Sequence, residues 1–147
     1  MSTPSRALAF ASAAIAVVLL CAATTAPRRT ALTVVLEGFT ESKGTIHIGV
    51  YDNEHAFDER STIRGSNLPA AARTRRITFS DLPRGTYAVA VYQDVNGNGY
   101  LDKYPTGYPS EPFGFSQNPL VVFGPPPFSK CAVVVMARPV TIRIHPQ

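Results

Sequence analysis

In the segment Asp94-Val95-Asn96-Gly97-Asn98-Gly99-Tyr100-Leu101-Asp102, side chains that carry oxygen recur at alternate residues. Asp94, Asn96, Asn98 and Asp102 hold the first, third, fifth and ninth places, Gly99 the sixth, and the Tyr100 carbonyl is available at the seventh. Alternate residues that turn oxygens inward, with glycine allowing a sharp bend, are what a hard cation such as calcium requires. The match then breaks off. Pro105 stands where such loops carry a bidentate glutamate, and no helical pattern flanks the segment. Two carboxylates predict weak calcium binding, on the order of 10⁻⁴ to 10⁻³ M, with Glu111 available to fold back as a third. The same residues also suit a simpler role, because Asn-Gly pairs favour tight turns and Asx side chains cap their own backbone.

The chain continues through Tyr104, Tyr108, Glu111, Phe113 and Phe115, which bring four aromatic rings close to the candidate ion loop. These residues suit either a ligand-binding or partner-binding surface or a lid over one end of a β structure. With no tryptophan in the chain, stacking on sugars is weakened. Paired carboxylates allow a second reading, a hydrolase or lyase acting on an envelope glycan through Asp94, Asp102 and Glu111. Other catalytic patterns are missing: His47, His55 and His145 are dispersed, and no serine sits in a nucleophile elbow. The residues therefore favour a non-catalytic module that binds an envelope protein or glycan.

The elements that must hold these loops repeat with a period of two. Leu32, Val34 and Leu36 alternate with Thr33, Val35 and Glu37, and Ile46, Ile48 and Val50 alternate with Thr45, His47 and Gly49. Each reads as a strand with one face on a core, and a turn through Glu41 to Gly44 joins them. Residues 52–72 keep no period and read as an irregular excursion, a lid or an edge, with one helical turn near Ala56 to Arg60. Strands follow at 75–80 and, after the turn Leu82-Pro83-Arg84-Gly85, at 86–92. The latter is apolar on both faces and short-chained on one, which suits a central position. Further strands are expected at 131–136 and 140–145, with a short one at 120–123. About seven strands without a sustained amphipathic helix predict an all-β, antiparallel two-sheet sandwich, an immunoglobulin-like or transthyretin-like Greek key.

Length, charge and cysteines set the surroundings. A chain of 147 residues makes one domain, here placed at 32–145 after a linker at 24–31. Residues 1–23 read as a secretory signal peptide, with Arg6 ahead of an apolar run from Ala7 to Ala23. The expected location is periplasmic or secreted, with membrane attachment only if that signal is kept. Cys21 follows Leu20 rather than a small residue, which argues against a lipoprotein. Cys131 lies in an apolar run and reads as a buried, inert thiol. The net charge of +4 is mild, and its clusters are Arg28-Arg29 and Arg73, Arg75 and Arg76. Together with export, this disfavours nucleic acid as a partner.

Three ordered motifs resemble a known family. They are Leu82-Pro83-Arg84-Gly85-Thr86-Tyr87-Ala88-Val89, the segment Asp94 to Asp102, and Gly107-Tyr108-Pro109-Ser110-Glu111-Pro112-Phe113-Gly114-Phe115-Ser116, and Pro126 to Ala132 also fits. The likeness is to the bacterial exported family called domain of unknown function 2141, and it runs from about Leu32 to Ile144. It implies an envelope or secreted β-sandwich without a defined activity. Gln93 and Ser110 stand where relatives often carry histidine and lysine. The turn before Tyr87 is also similar to that of transthyretin-like sandwiches, an analogy of fold alone.

Overall fold

The computed structural model describes residues 29–39, 41–72 and 75–147. The expected signal peptide, Cys21, most of the linker, Arg28 and Arg73 lie outside the described residues.

Alternation along the strands produces two sheets that share one core. The first sheet has the order β4-β1-β8, from β1 (Thr30–Leu36), β4 (Arg76–Leu82) and β8 (Val140–Ile144). The second runs β3-β2-β5-β6, from β2 (Thr45–Tyr51), β3 (Arg64–Pro69), β5 (Gly85–Asp94) and β6 (Phe113–Phe115), with β7 (Val133–Val135) also on β5. Between them lie Leu32, Val34, Ile46, Val50, Phe79, Leu82, Val89, Val135 and Ile144, all buried. Each such side chain contributes about 1.5–3 kcal/mol by leaving water. A one-residue slip in register would turn this whole set outward.

The all-β two-sheet sandwich predicted from periodicity is therefore present, with eight strands where about seven were expected. One pairing departs from the antiparallel expectation, since β1 and β8 run parallel from Leu32 opposite Val140 to Leu36 opposite Ile144. The turn through Glu41 to Gly44 is not a hairpin, because it carries the chain from one sheet to the other. So does Leu82-Pro83-Arg84-Gly85, a corner closed by the Tyr87 hydroxyl, which donates to the Pro83 carbonyl at 2.8 Å. That bond explains why the tyrosine accompanies the Pro-Arg-Gly turn.

Several short elements escape a periodicity reading. The excursion at 52–72 contains α1 (Glu54–Asp58), capped by Asn53 Oδ1 accepting from the Ala56 amide, and then the edge strand β3. Cys131 ends a helical turn, α2 (Phe128–Cys131), that starts after Pro127, so the following strand is confined to β7. Residues 120–123 form no strand: Pro119 and Pro125 bracket them, the Val121 amide bonds to Gln147 Oε1, and only Val121 is buried among the four. No described helix is long and apolar enough to cross a membrane.

The outer face of β2 and β5 is also partly covered. Tyr51, Phe57, Ala88 and Cys131 form a second buried cluster there, with Ala90, Phe115 and Phe128 packed against it. The two helices lie over this face, and the remainder of it stays open.

Candidate functional site

The open part of that face is a groove of about 1260 Å³. Its floor follows from register and side-chain size. His47 and Gly49 on β2 lie opposite Tyr92 and Ala90 on β5, and Asn67 and Gly65 on β3 lie on the other side of them. Two glycines and an alanine keep the floor low, while the surrounding segments rise above it. Phe57, Asp58, Arg60 and Thr62, in and just after α1, make one wall; residues 99–101, 103 and 106–109 make another; Phe113, Phe115 and residues 121–125 contribute to the rest. At Gly49 a Cβ would meet Thr62 Cγ2 at 2.7 Å and the Tyr51 hydroxyl at 2.8 Å, so the glycine admits a close packing. At Gly65 the nearest atom to a Cβ would be 3.7 Å away, an ordinary contact, so a side chain can be added there without a clash.

The loop Asp94 to Asp102 forms part of the rim. Asp94 sits at the end of β5, where its Oδ1 accepts from the amides of Gly97 at 2.7 Å and Asn98 at 3.1 Å, and its Oδ2 from that of Gly99 at 2.8 Å. Burial works to raise the Asp94 carboxyl, but these three amides and the neighbouring His47 outweigh it and hold the pKa below its ordinary value. Glu111 is buried and spans the loop's base, Oε1 accepting from the Val95 amide at 2.8 Å and Oε2 from that of Asp102 at 3.0 Å. Gly97 and Gly99 take φ of +79° and +84°, the left-handed region that Asn-Gly turns require. Tyr92 ties this loop to the floor: its ring stacks on His47 at 4.7 Å, and its hydroxyl donates to the Gly99 carbonyl at 3.1 Å.

The five residues expected to hold a metal thus separate into two groups. Asn96 Nδ2 donates to Asp102 at 2.6 Å and Asn98 Nδ2 to both Asp102 oxygens at 2.9 and 3.1 Å, so these three side chains converge. Their amide oxygens accept from the Asn98 and Tyr100 amides. Asp94 faces inward to its own amides, and the Tyr100 side chain is exposed and lines the groove. Among the described residues no three His, Cys, Asp or Glu side chains gather as a metal-holding group.

Of the residues expected to bind a ligand, Tyr108, Phe113 and Phe115 line the groove and contact one another edge to face. Tyr104 is exposed and opens a small hairpin in which its amide donates to the Tyr108 carbonyl. Glu111 serves the loop's backbone. Gln93 points the other way, into the end of the sandwich, where its Nε2 donates to the Glu41 and Lys43 carbonyls. Sequence reasoning missed His47, Arg60, Gly65, Ala90 and Tyr92. The signal was present in β5, whose second apolar face had to be covered by something, and in the unassigned excursion that supplies the wall.

Two sheets packed face to face, loops gathered at one rim and a groove on an outer face define an all-β sandwich module. The family described as "Uncharacterized protein conserved in bacteria (DUF2141)" matches residues 34–143, and the chain belongs to that family. No curated protein and no solved structure matches the chain.

Proposed function

We propose that this chain is an exported, non-catalytic binding module of the cell envelope whose ligand site is the groove on the outer face of β3-β2-β5-β6. The observation that carries the proposal is the low floor at Gly65 and Ala90 between aromatic walls. A sheet face kept low at Gly65 and Ala90, and lined by Phe57, Tyr108, Phe113 and Phe115, is a concave, largely apolar site with a few polar groups. Export follows from the charged and apolar leader at 1–23. The carboxylates support binding over catalysis: Asp94 is held ionised by backbone amides, and both oxygens of Glu111 are committed to the loop. A general acid needs a raised pKa and a free oxygen.

Footprinting tests this reading. Envelope protein and glycan fractions are added to isotopically labelled protein, and amide shifts are followed by NMR. The expected changes cluster at Gly49, Gly65, Ala90, Tyr92 and Phe115. Changes confined to the β4-β1-β8 sheet would contradict it.

Calcium belongs to the proposal as a weak consolidating ion at the rim. Asn96 and Asn98 already meet at the Asp102 carboxylate, and rotation of their amides would present oxygens in place of nitrogens. Millimolar calcium is expected to raise the melting midpoint of the protein above its value in chelator. Equal midpoints in the two conditions would remove the ion from the account.

A further inference from the structure

The groove is not electrically neutral. Arg60 and Lys103 both line it, and neither joins an ion pair among the described residues, while Asp58 is the one acid in the lining. Arg60 follows α1 in the left-handed conformation, φ +57°, at the kind of position where a helix end usually carries glycine. A non-glycine residue there costs on the order of 1 kcal/mol. Arg60 lines the same groove as Tyr51 and Tyr92. On its floor His47 Nε2 is shielded from solvent and has no hydrogen-bond partner, with Asp94 Oδ2 at 3.8 Å, beyond bonding distance.

The mouth is apolar. Phe123 is 96% exposed and Tyr100 74%, on segments at two sides of the groove, and Leu120, 84% exposed, directly precedes the lining segment 121–125. Large apolar side chains grouped in this way around a concave site mark a surface that meets a protein or a membrane. Cations without an ion pair and aromatic rings lining one groove, beside exposed apolar side chains, complement a molecule with one acidic end and one hydrocarbon end.

Resting on the binding reading above, we infer that the groove takes a membrane lipid with an anionic headgroup, the acidic group lying at Arg60 and Lys103 and the chain along Phe57, Phe113 and Phe115. Leu120, Val122 and Phe123 touch the bilayer from which the lipid is drawn. This adds a contact with membrane that does not depend on the leader, the one route expected from the sequence.

The probe is dansyl-undecanoic acid, a fluorescent anionic amphiphile, compared with its methyl ester and with inorganic phosphate. The acid is expected to bind with an NMR footprint in the groove, the ester about tenfold more weakly, and phosphate not at all. Replacing Arg60 and Lys103 together (Arg60→Gln, Lys103→Gln) should bring the acid down to the level of the ester, a loss of about tenfold or more for charge-assisted hydrogen bonds. Replacing Leu120, which is exposed and lies outside the groove lining, with serine should spare binding of the soluble acid and weaken sedimentation with phosphatidylglycerol vesicles severalfold. Equal binding of acid and ester inside the groove would overturn the lipid assignment and leave the binding reading standing. A footprint outside the groove would overturn both. Sedimentation with vesicles that is unchanged in Leu120→Ser would refute the contact through the mouth.

Discussion

Asp94 shows how one side chain can look like a ligand and act as a clamp. Its place at the head of an alternating run of oxygens was legible, because spacing alone carries that pattern. Its partners were not, since three amides reach it only once Gly97 and Gly99 have turned the chain back. The sign of its pH dependence follows from the lowered pKa. Stability from ionised Asp94 is present above the ordinary value of 3.8 and is lost as pH falls through the lower value of the folded state. The stability difference between the wild type and Asp94→Asn should therefore be constant near neutrality and shrink in acid below that range. Denaturant titrations across pH check this, and a difference that grows with acidity would be the wrong sign. Cys131 was read as inert from its apolar neighbours, and it is fully buried, with burial pushing its thiol up to about 11. It should fail to react with a disulfide reagent at neutral pH until the protein is unfolded. Rapid labelling of the native protein would show that the site opens.

At the scale of elements, β1, β2, β4 and β8 were readable from alternation, and β5 from a run apolar on both faces. The exceptions share a cause. β3, with the sequence RGSNLP, is an edge strand with little buried on either face, so it has no alternation to read. β6 is three residues long, too short to establish a period, and β7 was expected within a longer strand at 131–136 that α2 cuts short. They lie end to end along one side of β5, and Ser116 joins them: its Oγ accepts from the Val89 amide at 2.9 Å and donates to the Cys131 carbonyl. Its amide also donates to the Val89 carbonyl, so one residue completes the ladder where the partner strand changes. Ser116→Ala would leave the buried Val89 amide without that acceptor, at a cost of about 1–3 kcal/mol. Chemical denaturation reads the loss directly. A variant as stable as the wild type would mean that the seam is held by packing alone.

For the molecule as a whole, the decisive feature is that the central strand of the second sheet, β5, is apolar on both faces. One face is covered by the other sheet, and the opposite face is covered only in part, by α1, α2 and Phe115. The sequence announced the first face through period two. It hinted at the second through Ala88 and Ala90, but where cover ends and groove begins depends on how 52–72 and 99–125 fold over the sheet. Size alone makes this groove testable without disturbing the sandwich. Gly65 is exposed, has no left-handed backbone, and has room beyond its position for a side chain. A phenylalanine there fills the floor. The most direct measurement is a titration of Gly65→Phe with dansyl-undecanoic acid alongside a thermal melt. The account predicts a wild-type melting midpoint with binding abolished; undiminished binding in a protein that melts normally would contradict it.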